Sequence, residues 1–174
     1  MPVLPIRTFG DPVLREPGRE VEVFDDALRR LAEDMLETMY EAPGVGLAAP
    51  QVGRSIRLVV IDVGEGPLRL VNPKLSEHEG EQDGEEGCLS IPGVYFPVKR
   101  AMKVRCDAKD PSGKDVTVRG EGLLARALQH EVDHIDGVLF VDRLDPENRR
   151  EALRMLREQQ LGFANVAPDP TRAL

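Results

Sequence analysis

Hydrophobic side chains recur at helical spacing in two stretches of the chain. The first stretch begins after Asp25, and its apolar positions lie three or four residues apart, as on the buried face of an amphipathic helix. These positions are Leu28, Leu31, Ala32, Met35, Leu36 and Met39. An aspartate at the start can cap this helix, and Pro43-Gly44 ends it. The second stretch, 123–135, predicts another helix with Gly137 as its C-cap.

Shorter apolar runs between these helices have the composition of β-strands. Residues 56–62 and 68–72 predict two strands, and 116–118 predicts a short third one. Residues 87–108 also have strand character, which two prolines interrupt. The acidic, glycine-containing stretch 77–86 is expected to be a loop. Short strands together with separated helices indicate an α+β protein.

The predicted architecture is one domain over residues 1–174. Its helix 123–135 is expected to be central and to pack against mixed, mainly antiparallel short sheets. Residues 1–23 contain four prolines and are expected to be irregular. A C-terminal helix is predicted over 146–161, and the remainder, 162–174, is expected to be a flexible tail.

Charge and hydropathy restrict the classes of function. The chain has 174 residues, enough for a sizeable core, and a net charge of −8, which argues against DNA binding because phosphate contacts need a basic surface. No apolar run approaches the roughly 20 residues that a membrane span requires. The first residues lack the pattern of a secretory signal, so a cytoplasmic location is expected.

The segment His130-Glu131-Val132-Asp133-His134 carries the strongest chemical signal. It lies inside a predicted helix, where residues four apart share one face, so both imidazoles can reach one ion. Glu131 lies beside them, where a carboxylate can act as general base on a water molecule. The pattern predicts a metal site on this helix.

A third ligand is required, and Cys88 is the strongest candidate. A thiolate binds zinc or ferrous iron strongly, whereas the third histidine, His78, lies in an acidic stretch and is expected at the surface. Three protein ligands leave a fourth position open, which is typical of a catalytic rather than a structural site. The glycine-rich stretch 44–53 offers Gln51 as a donor to an oxyanion, and the backbone N–H near Leu89 is a second candidate.

Two other functions fit parts of the same pattern. A binding protein with a structural metal would normally supply four ligands, and no fourth ligand is evident. A general metallopeptidase would take a further histidine or glutamate downstream of His134, and none of the right kind follows. The second cysteine, Cys106, lies in a strand pattern and is expected to be a core thiol.

Three segments together resemble the peptide deformylases. They are Gly-Val-Gly-Leu-Ala-Ala-Pro-Gln at 44–51, Glu-Gly-Cys-Leu-Ser at 86–90 and His-Glu-Val-Asp-His-Ile-Asp-Gly at 130–137. All three match the family patterns in the family's order. The likeness extends from 11–14 to the region of Arg143.

The resemblance implies hydrolysis of the N-formyl group from the N-terminal formyl-methionine of new bacterial polypeptides, with release of formate. It implies one Fe²⁺ per chain, although Zn²⁺, Ni²⁺ or Co²⁺ can occupy such a site. The implied metal ligands are Cys88, His130 and His134. By the same likeness Glu131 is the acid and base, while Gln51 and the Leu89 backbone steady the formyl oxygen.

Further positions follow from the resemblance. The methionine pocket would include Val45, Leu123 and Ala127, and Gly46 would pair with the substrate backbone. These assignments place the substrate beside the predicted metal helix.

Three charged residues near the site have alternative interpretations. Glu86 and Arg100 either form an ion pair that braces the cysteine strand or are two solvated charges. Arg126, one helical turn before His130, either points away from the pocket or alters the choice of substrate.

The predicted last helix is basic in an otherwise acidic protein. Its charges are Arg149, Arg150, Arg154 and Arg157 against Glu151. In some deformylases a C-terminal helix docks on the ribosome, and a basic face suits RNA. A solvated amphipathic helix is an equally acceptable interpretation.

Overall fold

The computed structural model describes residues 2–162. Seven strands form two sheets, one of five strands in the order β1-β2-β3-β6-β7 and one of the two strands β4-β5. The strands are β1 (Gly46–Ala48), β2 (Leu58–Ile61), β3 (Leu68–Glu79), β4 (Gln82–Cys88), β5 (Ile91–Arg100), β6 (Lys103–Lys109) and β7 (Asp115–Glu121). Every pairing among these strands is antiparallel, so the expected mixed sheet is replaced by a purely antiparallel one within the described residues.

Three α-helices accompany the sheets: α1 (Asp26–Glu41), α2 (Leu123–Ile135) and α3 (Pro146–Gln160). Asp25 caps α1 by accepting a hydrogen bond from the Leu28 N–H at 3.0 Å. Gly137 has a φ of 78°, which allows the chain to turn sharply after α2. The α+β class is therefore confirmed. Of the helices within residues 2–162, none has the length and apolarity needed to cross a membrane.

Two local predictions about strands were wrong. Residues 77–86 are largely paired, because β3 extends to Glu79 and β4 starts at Gln82, forming an exposed hairpin. β3 pairs with β6 and β4 pairs with β5, and these pairings hold the hairpin although its exposed residues are acidic. β5 also continues through Pro92 and Pro97 for ten residues. Among residues 2–162 it pairs with β4 alone, so one of its edges needs no N–H donors.

Strand β2 fixes where α2 lies. All four of its residues are buried, because both faces of the sheet are covered. Val59 and Ile61 pack in the cluster that includes α2, whereas Leu58 and Val60 pack in the cluster that includes α1. Successive strand residues point to opposite faces, which explains how one short strand holds both helices.

A third apolar cluster lies under the small sheet. It joins residues of β5 with Phe140 in a 3₁₀ helix (Phe140–Arg143) and with Ala152 and Leu156 of α3. Leu14 of the N-terminal segment completes it. Helix α3 thus contributes two side chains to the core.

The described residues before α1 form one 3₁₀ helix (Pro12–Arg15) and no α-helix or extended strand. This segment is nevertheless held by backbone hydrogen bonds to distant parts of the chain. The N–H groups of Arg7, Phe9 and Gly18 donate to carbonyl oxygens at 2.7, 2.8 and 2.7 Å. The acceptors are Gln51, Ser90 and Ile135. Of the predicted tail 162–174, all but Gly162 lies outside the described residues.

Candidate metal centre

Helix α2 and the end of β4 bring three ligand-type side chains together. His130 and His134 are four residues apart on α2, and their Nε2 atoms lie 3.2 Å from each other. Cys88, the last residue of β4, places its Sγ 3.3 Å from His134 Nε2. One ligand atom from each of the three residues lies within 4.8 Å of the others, and all three side chains are buried.

Glu86 determines which nitrogen of His130 faces this cluster. Its carboxylate lies 2.8 Å from His130 Nδ1. Burial alone would raise the pKa of Glu86, but hydrogen bonds from Arg100 and His130 outweigh burial and hold that pKa far below its usual range. An ionised carboxylate only accepts hydrogen bonds, so His130 donates from Nδ1 and its Nε2 lone pair faces Cys88 and His134.

The cluster fits a divalent transition metal. A tetrahedral ion with bonds of about 2.0–2.1 Å to nitrogen and 2.3 Å to sulfur keeps its ligand atoms about 3.3–3.6 Å apart. The separations here, 3.2 and 3.3 Å, are close to those values. One thiolate with two imidazoles suits iron, zinc, nickel or cobalt. Three protein ligands leave room for one further ligand.

Glu131 lies beside the cluster in an unusual state. It is completely buried, and its Oε2 is 4.0 Å from His130 Nε2. Neither of its oxygens has a hydrogen-bond partner among the described residues. Burial raises the pKa of Glu131 to about 7. Such a carboxylate is suited to exchange a proton near neutral pH.

Gly46 of β1 provides the space that Glu131 occupies. A Cβ atom built on Gly46 would lie 2.5 Å from Glu131 Oε2. Any side chain at this position would therefore displace the carboxylate. The glycine-rich stretch of the sequence thus contributes directly to the geometry of the centre.

A comparison with known families assigns the chain. The family model described as "Polypeptide deformylase" matches residues 3–150. The chain belongs to the peptide deformylase family.

Relatives support this membership along almost the whole chain. A peptide deformylase from Acidothermus cellulolyticus is 52% identical over 176 residues, which cover 99% of this chain and 98% of the relative. A crystal structure of a peptide deformylase from Legionella pneumophila has a TM-score of 0.87 at 46% identity and covers 94% of this chain and 99% of that one. The deformylase from Thermus thermophilus gives the same TM-score at 47% identity, with 92% and 97% covered.

In this member of the deformylase family, Gln51 lies next to the ligand cluster. Its Oε1 accepts a hydrogen bond from the Ala48 N–H at 2.9 Å, which fixes the orientation of the amide. Its Nε2 donates to Ser90 Oγ at 3.1 Å and lies 3.5 Å from Cys88 Sγ. Leu89, the second predicted donor, directly follows Cys88 in the turn between β4 and β5. Sequence reasoning missed Ser90.

The predicted pocket residues lie around the start of α2 and β1. Leu123 is 49% exposed at the first position of α2, whereas Ala127, one turn later, is completely buried. Val45 is partly buried and packs against the α2 cluster, immediately before Gly46. Leu123 therefore presents apolar surface to solvent at the start of the helix that carries the two histidines.

A group of charged side chains, all buried except Arg143, lies behind His130, and we call it the arginine network. It consists of Arg100, Arg126, Arg143, Glu86 and Asp133. Glu86 and Arg100 form a buried ion pair at 2.8 Å rather than two solvated charges. Arg126 donates to Glu86 at 2.6 Å and to the Val98 carbonyl at 2.9 Å, so its guanidinium lies in the network.

Sequence reasoning missed Asp133 and Arg143. Asp133 accepts hydrogen bonds from Arg100 at 2.7 Å and from Arg143 at 2.8 Å. A signal did exist, because Arg126 and Asp133 are seven residues apart and therefore share a face of the predicted helix. Two opposite charges on one buried face indicate a common set of partners.

Two residues that were set aside lie away from the centre. His78 is exposed on β3. Cys106, on β6, is buried in the apolar cluster that includes α2, and burial raises the pKa of its thiol to about 12. It is a core thiol, as predicted.

Proposed function

We propose that the chain works as a single-domain deformylase in which Cys88, His130 and His134 hold one ferrous ion. The reaction is the hydrolytic removal of the N-formyl group from the N-terminal formyl-methionine of newly made polypeptides, with release of formate. The observation that carries this proposal is the convergence of three buried ligand atoms beside the Glu131 carboxylate, which has no hydrogen-bond partner in the described part of the chain.

A divalent ion at these ligands supplies Lewis acidity, which polarises the formyl carbonyl and makes a water molecule more acidic. Glu131 takes a proton from that water and delivers it to the leaving amine as the formyl C–N bond breaks. The amide of Gln51 and the N–H of Leu89 donate hydrogen bonds to the formyl oxygen as it gains negative charge. The oxygen of water ends in formate, and the free amine remains on methionine.

The substrate is proposed to lie along β1 and the first turn of α2. Gly46 pairs with the substrate backbone, while Val45, Leu123 and Ala127 contact the methionine side chain. The exposure of Leu123 supports this assignment, because a half-exposed leucine gains by apolar contact with a ligand.

The physiological metal is proposed to be Fe²⁺. The cysteine and histidine ligands accept several divalent ions, so the identity of the metal must be measured. Iron beside a thiolate is sensitive to oxidation, and the expected result is an activity that is high in anaerobic preparations and falls in air. Nickel- or cobalt-loaded protein is expected to keep its activity in air. Equal stability of the iron and nickel forms in air would contradict the assignment of iron.

The decisive experiment is formate release from a formyl-Met peptide by protein purified anaerobically with ferrous iron. An acetyl-Met peptide controls for general amidase activity. Cys88→Ser is expected to lose the metal and the activity, whereas Glu131→Ala is expected to keep the metal and lose the activity. No release from the formyl peptide by protein with one bound metal per chain would overturn the proposal.

A contact between α3 and the ribosome is proposed as the partner interaction, in a cytoplasmic bacterial setting. α3 buries Ala152 and Leu156 and carries its arginines outside, although Arg154 is paired with Glu151 and Glu158. Because α3 belongs to the core, charge reversal tests the contact better than truncation. Arg149→Glu with Arg150→Glu is expected to weaken binding to isolated ribosomes, and Arg119→Glu on β7 serves as the control. Unchanged affinity would favour the alternative, a solvated helix.

A further inference from the structure

The Glu86 carboxylate accepts four hydrogen bonds, which is the full capacity of its two oxygens. Oε1 accepts from His130 Nδ1 at 2.8 Å and from Arg100 Nη2 at 2.9 Å. Oε2 accepts from Arg100 Nε at 2.8 Å and from Arg126 Nη1 at 2.6 Å. Glu86 has no exposed surface, so water cannot replace a donor that is lost.

We propose that Arg126 is a positioning residue that locks the orientation of Glu86 and thereby holds His130 ready for metal binding. The inference rests on the proposed metal centre and assigns a role within it to a residue that does not touch the metal ligands. Arg100 contacts both oxygens of Glu86, so by itself it does not distinguish between them. Arg126 binds only Oε2, which leaves Oε1 for His130.

The position of Arg126 is itself defined by the small sheet. The same Nη1 atom donates to the Val98 carbonyl at 2.9 Å, and Val98 pairs with Gly84 across β4 and β5. A Cβ atom built on Gly84 would lie 3.3 Å from Arg126 Nη2 and 3.7 Å from Cζ. Gly84 therefore leaves just enough room for the guanidinium. The glycine and the arginine act as a matched pair from two separate elements.

Loss of Arg126 has a specific consequence in this geometry. Oε2 of Glu86 would retain one donor in a site closed to water. A buried, charged oxygen that has lost a hydrogen bond lowers its free energy by finding another donor. The carboxylate can then turn so that its oxygens compete for Arg100 and His130. His130 would lose its fixed Nδ1 donor geometry, and its Nε2 would no longer be directed steadily at the ligand cluster.

The test measures metal release from cobalt-loaded protein into excess chelator, followed by the absorption of the cobalt–thiolate chromophore. Arg126→Met is expected to release cobalt about tenfold faster, at the low end of the effects known for groups that support metal ligands, because Arg100 remains. Arg126→Lys keeps the charge but not the fork of donors, and about threefold faster release is expected. Arg119→Met, which removes an exposed arginine from β7, is the matched control and should release cobalt at the wild-type rate.

Gly84 supplies an independent arm of the same test. Gly84→Ala would push the guanidinium aside by a few tenths of an ångström without removing it, and slightly faster cobalt release is expected from this variant. In the Arg126→Met background the same alanine should have no further effect, because its target is gone. Additive effects in the double variant would overturn the proposed link between the two residues.

A structural role alone would give a different result. The unfolding free energy of each metal-free variant is measured by urea denaturation, so that a folded variant is identified before cobalt is added. Wild-type release rates from folded Arg126→Met would overturn the inference while leaving the metal centre intact. Failure of the wild-type protein to bind one cobalt ion would overturn the metal centre and the inference together.

Discussion

Two groups of buried polar side chains lie on either side of His130, and they use their hydrogen-bonding capacity in opposite ways. In the arginine network, Glu86 has four donors around its two oxygens. In the candidate centre, both oxygens of Glu131 and the Nδ1 of His134 lack a hydrogen-bond partner among residues 2–162. Glu86 and Glu131 are both completely buried, so burial by itself does not decide what a charged side chain does.

The two glutamates show what the difference means. Donors around Glu86 hold its pKa low and keep it ionised and immobile. Glu131 lacks those donors, and burial raises its pKa to about 7. A saturated carboxylate orients its neighbours, whereas an unsaturated one can exchange a proton with a substrate or with water. Glu86 therefore belongs to the part of the site that fixes the position of His130, and Glu131 to the part that can transfer a proton.

The largest expected effect comes from removing the charge of Glu131. Glu131→Gln should lower the rate of formate release by roughly 10²–10⁴-fold, as for other general bases. The unfolding free energy of the metal-free protein should not fall, because an unpaired buried charge is removed. Formate assays and urea denaturation measure the two quantities. A loss of several kcal/mol would show that Glu131 has a structural partner.

The opposite result is expected for Glu86. Glu86→Gln leaves buried Arg126 without its counter-charge and leaves Arg100 with Asp133 alone, and it should cost about 3–5 kcal/mol of unfolding free energy in the metal-free protein. Glu77 is the matched control, since its carboxylate also meets two arginines, Arg105 and Arg119, but is 53% exposed. Glu77→Gln should cost less than about 1 kcal/mol. An equal loss of unfolding free energy in the two variants would contradict the claim that burial makes the ion pairs of Glu86 more important for stability than those of Glu77.

Gly46→Ala should lower the rate of formate release by moving Glu131, without affecting the arginine network. The added methyl group meets Glu131 Oε2, and a displacement of this size can lower a rate by about 10²-fold. In the Glu131→Gln background the alanine should lower the residual rate much less, because the base is already absent. A full additional loss in that background would mean that Gly46 acts on the substrate instead.

The smallest effect is expected at the solvent edge of the C-terminal region. Asp142 accepts hydrogen bonds from Arg15 and from the Leu139 N–H, and these outweigh burial and lower its pKa from 3.8. Its stabilising effect is therefore present above about pH 4 and is lost as the pH falls through the lowered value. Asp142→Asn should cost about 1 kcal/mol at pH 7.

Urea denaturation at pH 7 and at about pH 3.5 tests this dependence. The difference between wild type and Asp142→Asn should shrink at the lower pH. Asp115→Asn, at an 88% exposed carboxylate, is the control and should have little effect at either pH. A difference that grows on acidification would contradict the assigned direction.

The sequence predicts the ligand pair on α2 well because the information is local. His130 and His134 are one helical turn apart, and helix geometry alone brings them to one face. Cys88 requires more, since it comes from β4 and its approach depends on how the small sheet packs. Its chemistry and the resemblance to deformylases supplied what spacing could not.

The arginine network could not be derived in the same way. Arg126 and Glu86 are 40 residues apart, and their contact depends on the register of β4 with β5 and on the position of α2. The β3–β4 hairpin was missed for a related reason, because strand pairing there overrides an acidic composition. In each case the deciding interaction joins distant parts of the chain and leaves little trace in any single segment.

The order of biosynthesis decides when the backbone hydrogen bonds of the N-terminal segment can form. Gly18 finds its acceptor only at Ile135, 117 residues later. At translation speeds of roughly 5–20 residues per second, these two groups are made about 6–23 s apart. The N–H of Gly18 therefore lacks this acceptor until helix α2 has been made, whereas the acceptors of Arg7 and Phe9 are made earlier. A deformylase acts on the N-termini of other new chains, yet its own N-terminal segment can complete its hydrogen bonds only after residue 135 has been made.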